Sequence, residues 1–171
     1  MIGYKMLTSN GRSLSDEYGA VMYPLPANGQ PGAWITVPGN GAYVTELGGD
    51  LFAGGIGDIF VEMECEEQVQ IESWLKPPYG VTCWRRVRVL RIVPWTEIPA
   101  DQGQWRYEAA LGLSPLNISP KQRRELVMGI SADQSFWRKQ AAYAVPGLSD
   151  ADKAILRGEN DGKNLRGVQA L

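Results

Sequence analysis

Ile59-Phe60-Val61-Glu62-Met63-Glu64-Cys65-Glu66-Glu67-Gln68-Val69-Gln70-Ile71-Glu72 decides the fold class. Ile59, Val61, Met63, Cys65, Val69 and Ile71 fall at odd positions, while Glu62, Glu64, Glu66, Gln68, Gln70 and Glu72 fall at even ones. Side chains alternate across a strand with period two, so this pattern predicts a half-buried strand, read as two strands with a bend near Glu66-Glu67. The loop Lys76-Pro77-Pro78-Tyr79-Gly80 follows, and then a long strand from Val81 to Val93, which carries Arg85, Arg86, Arg88 and Arg91 among Val87, Val89, Leu90 and Ile92.

Working outward, shorter strands are predicted at Ile2–Leu7, Ala20–Leu25, Ala33–Val37 and Ala42–Thr45, separated by the glycine, asparagine and proline turns at Ser9-Asn10-Gly11, 26–32 and 38–41. From Thr96 the period changes. Trp105–Leu111 reads as a short helix. Ser119-Pro120 caps a second, whose Leu126, Val127 and Ile130 share a face. A third starts at Ser131-Ala132-Asp133 and runs through Ala144, with Phe136, Trp137, Gln140, Ala141 and Ala144 at helical spacing. Ser149-Asp150 opens a last helix that carries Ala154, Ile155 and Leu156 and stops at Gly158. The expectation is an α+β protein: a twisted, mostly antiparallel sheet in residues 1–98, three or four helices in 99–158, and an extended polar tail over 159–171. Such a tail does not fold alone, and if ordered it needs a partner or a symmetric neighbour to lie against.

The composition narrows the chemistry. The 171 residues include no histidine, which removes the Ser-His-Asp and Cys-His arrangements and every metal site that needs imidazole. A formal net charge of -2 argues against broad electrostatic binding to nucleic acid or acidic membrane. Cys65 and Cys83 lie in what read as neighbouring strands. Two reduced, buried thiols are expected, with a disulfide left open and a metal site disfavoured for want of further ligands. There is no apolar run long enough to cross a membrane and no signal-peptide build at the start, so a cytoplasmic location (the host cytoplasm, or a virion assembled from it) is expected. No cofactor is expected.

Three constellations could carry function. Glu62, Glu64 and Glu66 facing Arg86 and Arg88 could orient a polar or phosphorylated ligand; the plainer reading is cross-strand ion pairing on a solvated face. Arg85-Arg86-Val87-Arg88 with Trp84 and Trp95 offers cations and stacking rings for single-stranded nucleic acid, although strict alternation divides them, Arg86 and Arg88 to one face and Arg85 and Arg91 to the other. Aromatic residues supply candidate interface anchors: Trp74 and Tyr79 on a stiff proline-rich loop, and Trp137 within the helical stripe of Phe136, Trp137 and Tyr143. Gly48-Gly49 and Gly54-Gly55-Ile56-Gly57 lack the spacing of a phosphate loop and read as loop flexibility.

Gly41-Ala42-Tyr43-Val44-Thr45-Glu46, followed by Asp58-Ile59-Phe60-Val61-Glu62-Met63, resembles an uncharacterised family of bacterial and phage domains. That family opens on a strand similar to Gly3-Tyr4-Lys5-Met6, has a glycine–apolar–histidine–apolar–cysteine-or-threonine turn at this point, and closes on a strand similar to Val89-Leu90-Arg91-Ile92-Val93-Pro94-Trp95. The resemblance covers about residues 1–98 and implies a phage-encoded or bacterial domain. More distantly, the layout is similar to an ADP-ribosyltransferase fold, in which a comparable turn helps to hold nicotinamide. That likeness implies a ligand-binding pocket at Tyr43 and Thr45 with a catalytic glutamate drawn from Glu62, Glu64 or Glu66. Here the turn histidine is replaced by Tyr43, and the first strand has no arginine or histidine to grip NAD. The leading expectation is therefore a non-enzymatic interaction or assembly component that docks to a protein partner or to its own copies. A nucleotide-binding enzyme is the first alternative and a single-stranded nucleic-acid binder the second.

Overall fold

The computed structural model describes residues 1–13, 21–46, 57–71, 80–113 and 118–159. Trp74 and Tyr79, the glycines at 48–49 and 54–55, and the tail beyond Glu159 lie outside the described residues. The chain is α+β, with an antiparallel sheet in its N-terminal half and, among the described residues, four α-helices in its C-terminal half. It divides into two compact units, Met1–Glu97 with Gly112–Asn117, and Ile98–Leu111 with Ile118–Leu171.

In the first unit the strands are β1 (Ile2–Leu7), β2 (Ile35–Thr36), β3 (Ala42–Thr45), β4 (Ile59–Val69) and β5 (Val81–Ile92). β1 pairs with both β3 and β4, β4 pairs with β5, and β5 returns to β3, so four strands close into a small antiparallel barrel. β2 lies further along the same edge of β5, with Ile35 opposite Val87. Closure leaves one inward row on each strand. Leu7, Ala42, Val44, Val61, Met63, Cys65, Val87 and Val89 form one buried cluster with Tyr23 and Val37 from the loops. Lys5 is also buried; its ammonium donates to the Tyr43 carbonyl at 3.1 Å and lies 5.9 Å from the centre of the Tyr23 ring. Both cysteines are free and buried, and burial is the main cause that pushes the Cys65 thiol up to about 12.

The strand from Ile59 is one element rather than two. The predicted bend survives inside it as Glu67, which takes φ 60°. Register runs from Glu66 opposite Arg86 to Gln68 opposite Trp84, and both Glu67 and the Arg85 it would face are exposed, interrupting the inward row. The expected strand at Ala33–Val37 shrinks to Ile35–Thr36, because its flanks bond to β5 only singly, Gly32 N–H to Val89 O at 2.8 Å and Val37 N–H to Arg85 O at 2.7 Å. From the expected strand at Ala20–Leu25, the described residues retain an isolated bridge between Met22 and Arg12.

The second unit holds α1 (Gly103–Gly112), α2 (Pro120–Met128), α3 (Ser135–Ala144) and α4 (Asp150–Leu156). The α2 and α4 starts are capping boxes, Ser119 with Gln122 and Ser149 with Asp152, which satisfy N–H groups the helix itself leaves open. α3 begins at Ser135, later than expected. Residues 131–134 form a turn instead, with Ser131 N–H bonded to Ala100 O and Gln134 N–H to Ser131 O. Its buried face is Ala141 and Ala142, whereas Phe136 and Ala144, read at helical spacing with Trp137, Gln140 and Ala141, are exposed. In α4 the buried apolar residue is Leu156; Ile155 is exposed.

Arginines staple this unit through backbone carbonyls. Arg106 reaches Leu126 O at 2.9 Å and Pro99 O at 3.1 Å, Arg123 reaches Ala110 O, and Arg138 reaches Ile155 O at 2.9 Å. These acceptors include last-turn carbonyls of α2 and α4, where cations offset the negative helix end. Arg124 grips Asp152 through two bonds, 2.6 and 2.9 Å. That fork, helped by the Ser149 cap, holds the Asp152 carboxyl down to about 2 from its ordinary 3.8. A carboxyl with a depressed pKa in the folded state stabilises above its unfolded value and loses that contribution as pH falls through the folded one. The helical unit should therefore weaken as pH falls from 3.8 toward 2, and Asp152→Asn should flatten that part of an acid unfolding curve followed by circular dichroism. An unchanged slope would show that the fork is not linked to folding. No helix among the described residues is long and apolar enough to cross a membrane.

Candidate functional site

The outward face of β4 and β5 carries the first candidate. Antiparallel register sets Glu66 opposite Arg86, Glu64 opposite Arg88 and Glu62 opposite Arg91. Each pair closes. Arg86 is bonded to Glu66, Arg88 Nη2 lies 2.6 Å from Glu64, and Arg91 Nη2 lies 3.1 Å from Glu62 while its other terminal nitrogen meets Glu97 at 2.5 Å. Strict alternation had assigned Arg91 to the opposite face. A register shift at Glu62/Met63 inserts one residue into β5, so that Met63 faces Val89 while Glu62 faces Arg91, and this single-residue bulge turns Arg91 onto the face of Arg86 and Arg88. The Glu97 and Glu62 carboxylates push the Arg91 pKa up. Burial first, and then Glu62, push the neighbouring Tyr4 phenol up.

Trp34 completes the face, and pairing patterns gave no sign of it. Its ring lies 4.4 Å from the Arg86 guanidinium and 4.8 Å from that of Arg88, so one indole is shared by two cations. The side chains that a ligand would have to engage are thus engaged with one another. Trp84, offered as a stacking platform, donates its indole N–H to Thr82 Oγ1 at 2.8 Å. Arg85 points elsewhere, donating to the Gly39 carbonyl at 3.3 Å.

This ladder is half solvated, with Arg88 and Glu64 side chains 31% and 33% exposed, which limits its strength. Exposed or cross-strand ion pairs typically contribute about 0.2–1 kcal/mol. A double-mutant cycle on Arg88→Ala and Glu64→Ala, read by urea denaturation, should return a coupling of about 1 kcal/mol or less. A coupling of about 3 kcal/mol would mark a desolvated pair built for another purpose.

Tyr43 and Thr45 occupy alternate positions on β3 to the core residues Ala42 and Val44, opposite Cys83 and Val81. Thr45 is buried, and its hydroxyl donates to the Glu46 carbonyl at 3.3 Å. Glu62 and Glu64, the candidate catalytic carboxylates, belong to the ion-pair ladder. Among the described residues no group of three or more cysteine, aspartate and glutamate side chains is placed to hold a metal ion.

The second candidate is on the helical unit. Trp137 is half-buried, with the Tyr107 ring 5.6 Å away and Phe136 edge-on at 4.9 Å. It supports the stripe more than it presents it. Phe136 is 59% exposed and Tyr143, two turns further along α3, is 93% exposed. Beside Tyr143 runs a groove of about 620 Å³ lined by Lys139, Ala142, Tyr143, Lys153, Arg157 and Glu159. Its basic side chains come from two helices, and no spacing in the sequence announces that they meet.

No protein-family model matches the chain, and no curated protein or solved structure matches it.

Proposed function

We propose that this protein works by contact, as a non-enzymatic assembly component that docks to other protein chains and to its own copies. The carrying observation is a contrast between two surfaces. On the sheet face every candidate ligand-gripping arginine is held by a glutamate, whereas α3 holds out to solvent both Tyr143 and Phe136, the latter edge-on to a braced Trp137. Exposed aromatic rings on a rigid element are what contact surfaces use as anchors. The resemblance of residues 1–98 to bacterial and phage domains favours a phage-encoded source and a role within a larger assembly.

Sedimentation velocity on the full chain at about 100 µM, a range in which weak assembly contacts are populated, tests the proposal. A mass above the 18.8 kDa of one chain is expected, falling to that value for Phe136→Ser with Tyr143→Ser. A single-chain mass for the unaltered protein, or self-association that the double substitution leaves intact, would overturn it. Calorimetric titration with NAD should give a flat trace; saturable heat would revive the nucleotide-binding alternative.

A further inference from the structure

The groove at the ends of α3 and α4 has a chemistry that the contact proposal leaves undefined. Lys139 and Tyr143 are one turn apart on α3, Lys153 lies in the last turn of α4 with Arg157 at its C-cap, and Ala142 lines the same groove. Arg157 is compensated, holding both oxygens of Glu159 at 2.8 and 3.2 Å. Lys139 and Lys153 have no carboxylate partner among the described residues. Elsewhere on this unit Arg106 and Arg138 donate to carbonyls and Arg124 to Asp152, so two ammoniums at one groove with no carboxylate partner among the described residues stand apart.

Helix polarity explains only part of this. Lys153 and Arg157 lie at the C-terminal end of α4, where cations offset the partial negative charge of the last carbonyls. Lys139 sits mid-way along α3, where that effect has died away, and Tyr143 gains nothing from it.

Resting on the contact proposal, we infer that this groove takes an acidic peptide segment of the docking partner. Its carboxylates pair with Lys139 and Lys153, and an apolar side chain lies on Ala142 and the face of Tyr143. Two ammoniums without a carboxylate partner among the described residues are too few for a nucleic-acid backbone, whose affinity rises with each phosphate neutralised. They suffice to orient one short acidic stretch, with the tyrosine face and the alanine supplying apolar contact.

The probe is a fluorescein-labelled Glu-Glu-Leu-Glu-Glu peptide, titrated with the full chain at low ionic strength and followed by anisotropy. Saturable binding is expected, weakened about tenfold or more by Lys139→Glu with Lys153→Glu. It should weaken again as salt rises to physiological strength and be absent for the Gln-Gln-Leu-Gln-Gln peptide. Circular dichroism checks that the double variant folds, as expected for an exposed Lys139 and a half-buried Lys153. Binding indifferent to the lysine substitutions, no saturation by about 1 mM, or tighter binding of an oligothymidylate would overturn the inference. The two proposals separate cleanly. If the peptide fails while the chain still self-associates through Phe136 and Tyr143, the acidic occupant is wrong and the contact proposal stands; loss of self-association alone removes the latter.

Discussion

Trp105→Ala should cost the helical unit about 3–5 kcal/mol, the largest single-residue loss expected in the chain. Trp105 heads the fully buried side chains by volume and is 1% exposed. It sits in the first half of α1, whose Ala109 and Ala110 are also buried and too small to fill a vacated indole. α1 itself is weakly amphipathic, starts and ends on glycine, and has no acidic residue in its first turn, so little local preference holds it helical. Tertiary burial has to supply that stability, and Trp105 is the largest side chain α1 buries. Since whole domains are stable by only about 5–15 kcal/mol, the urea midpoint of the variant should fall steeply, with Trp105→Phe intermediate. A loss of about 1 kcal/mol or less would show that α1 is held by something other than this core.

Gly32→Ala should be nearly as damaging, for a steric reason. A Cβ at Gly32 would lie 1.8 Å from the Pro24 carbonyl oxygen and 2.8 Å from its carbon. Both obstacles are backbone, so no rotamer relieves them. The residue cannot retreat either, because its own N–H is bonded to Val89 O on β5 at 2.8 Å. Overpacking of this kind costs about 3 kcal/mol where it is relieved by backbone movement. The displaced segment leads directly to Trp34, so the shared indole should leave Arg86 and Arg88, visible as a red-shifted tryptophan emission. Gly29→Ala is the comparison: that Cβ would meet nothing within 4 Å, and only its φ of 72° is penalised. It should cost about 1 kcal/mol and leave the emission alone. Equal effects at the two glycines would refute the steric account.

The sheet was legible where alternation was strong. β3 and β5 run close to their expected bounds because each presents apolar residues to the interior at period two, and β1 does so although Lys5 stands in its buried row. The bulge was not legible. Val89-Leu90-Arg91-Ile92 carries no residue that announces an extra position, yet it decides which face Arg91 joins. Barrel closure also lay beyond the pattern, since β3 reaches β1 through Tyr4 opposite Thr45, a pairing that follows from twist and not from local sequence. In the helices, Ser119 and Ser149 signalled their caps correctly, whereas Ser131 looked equally suitable and instead closes a turn with Gln134.

The candidate sites divide along the same line. Cross-strand pairing of glutamates with Arg86 and Arg88 could be read from two alternating strands, because register follows from the buried rows. Trp34 could not, since it reaches those arginines from a segment joined to β5 by a two-residue strand. Lys139 and Lys153 carry no signal in the sequence, since each taken alone is an ordinary surface charge. Only the packing of α3 beside α4 makes them face one groove.

A dilution series of amide ¹H–¹⁵N correlation spectra on the full chain tests most directly whether the protein works by contact through α3. Shifts that move with concentration at Phe136, Lys139 and Tyr143, with Arg86, Arg88 and Tyr43 unmoved, are the predicted result. A spectrum invariant to dilution, or one that responds at Tyr43 and the β4–β5 face when NAD is added, would contradict it.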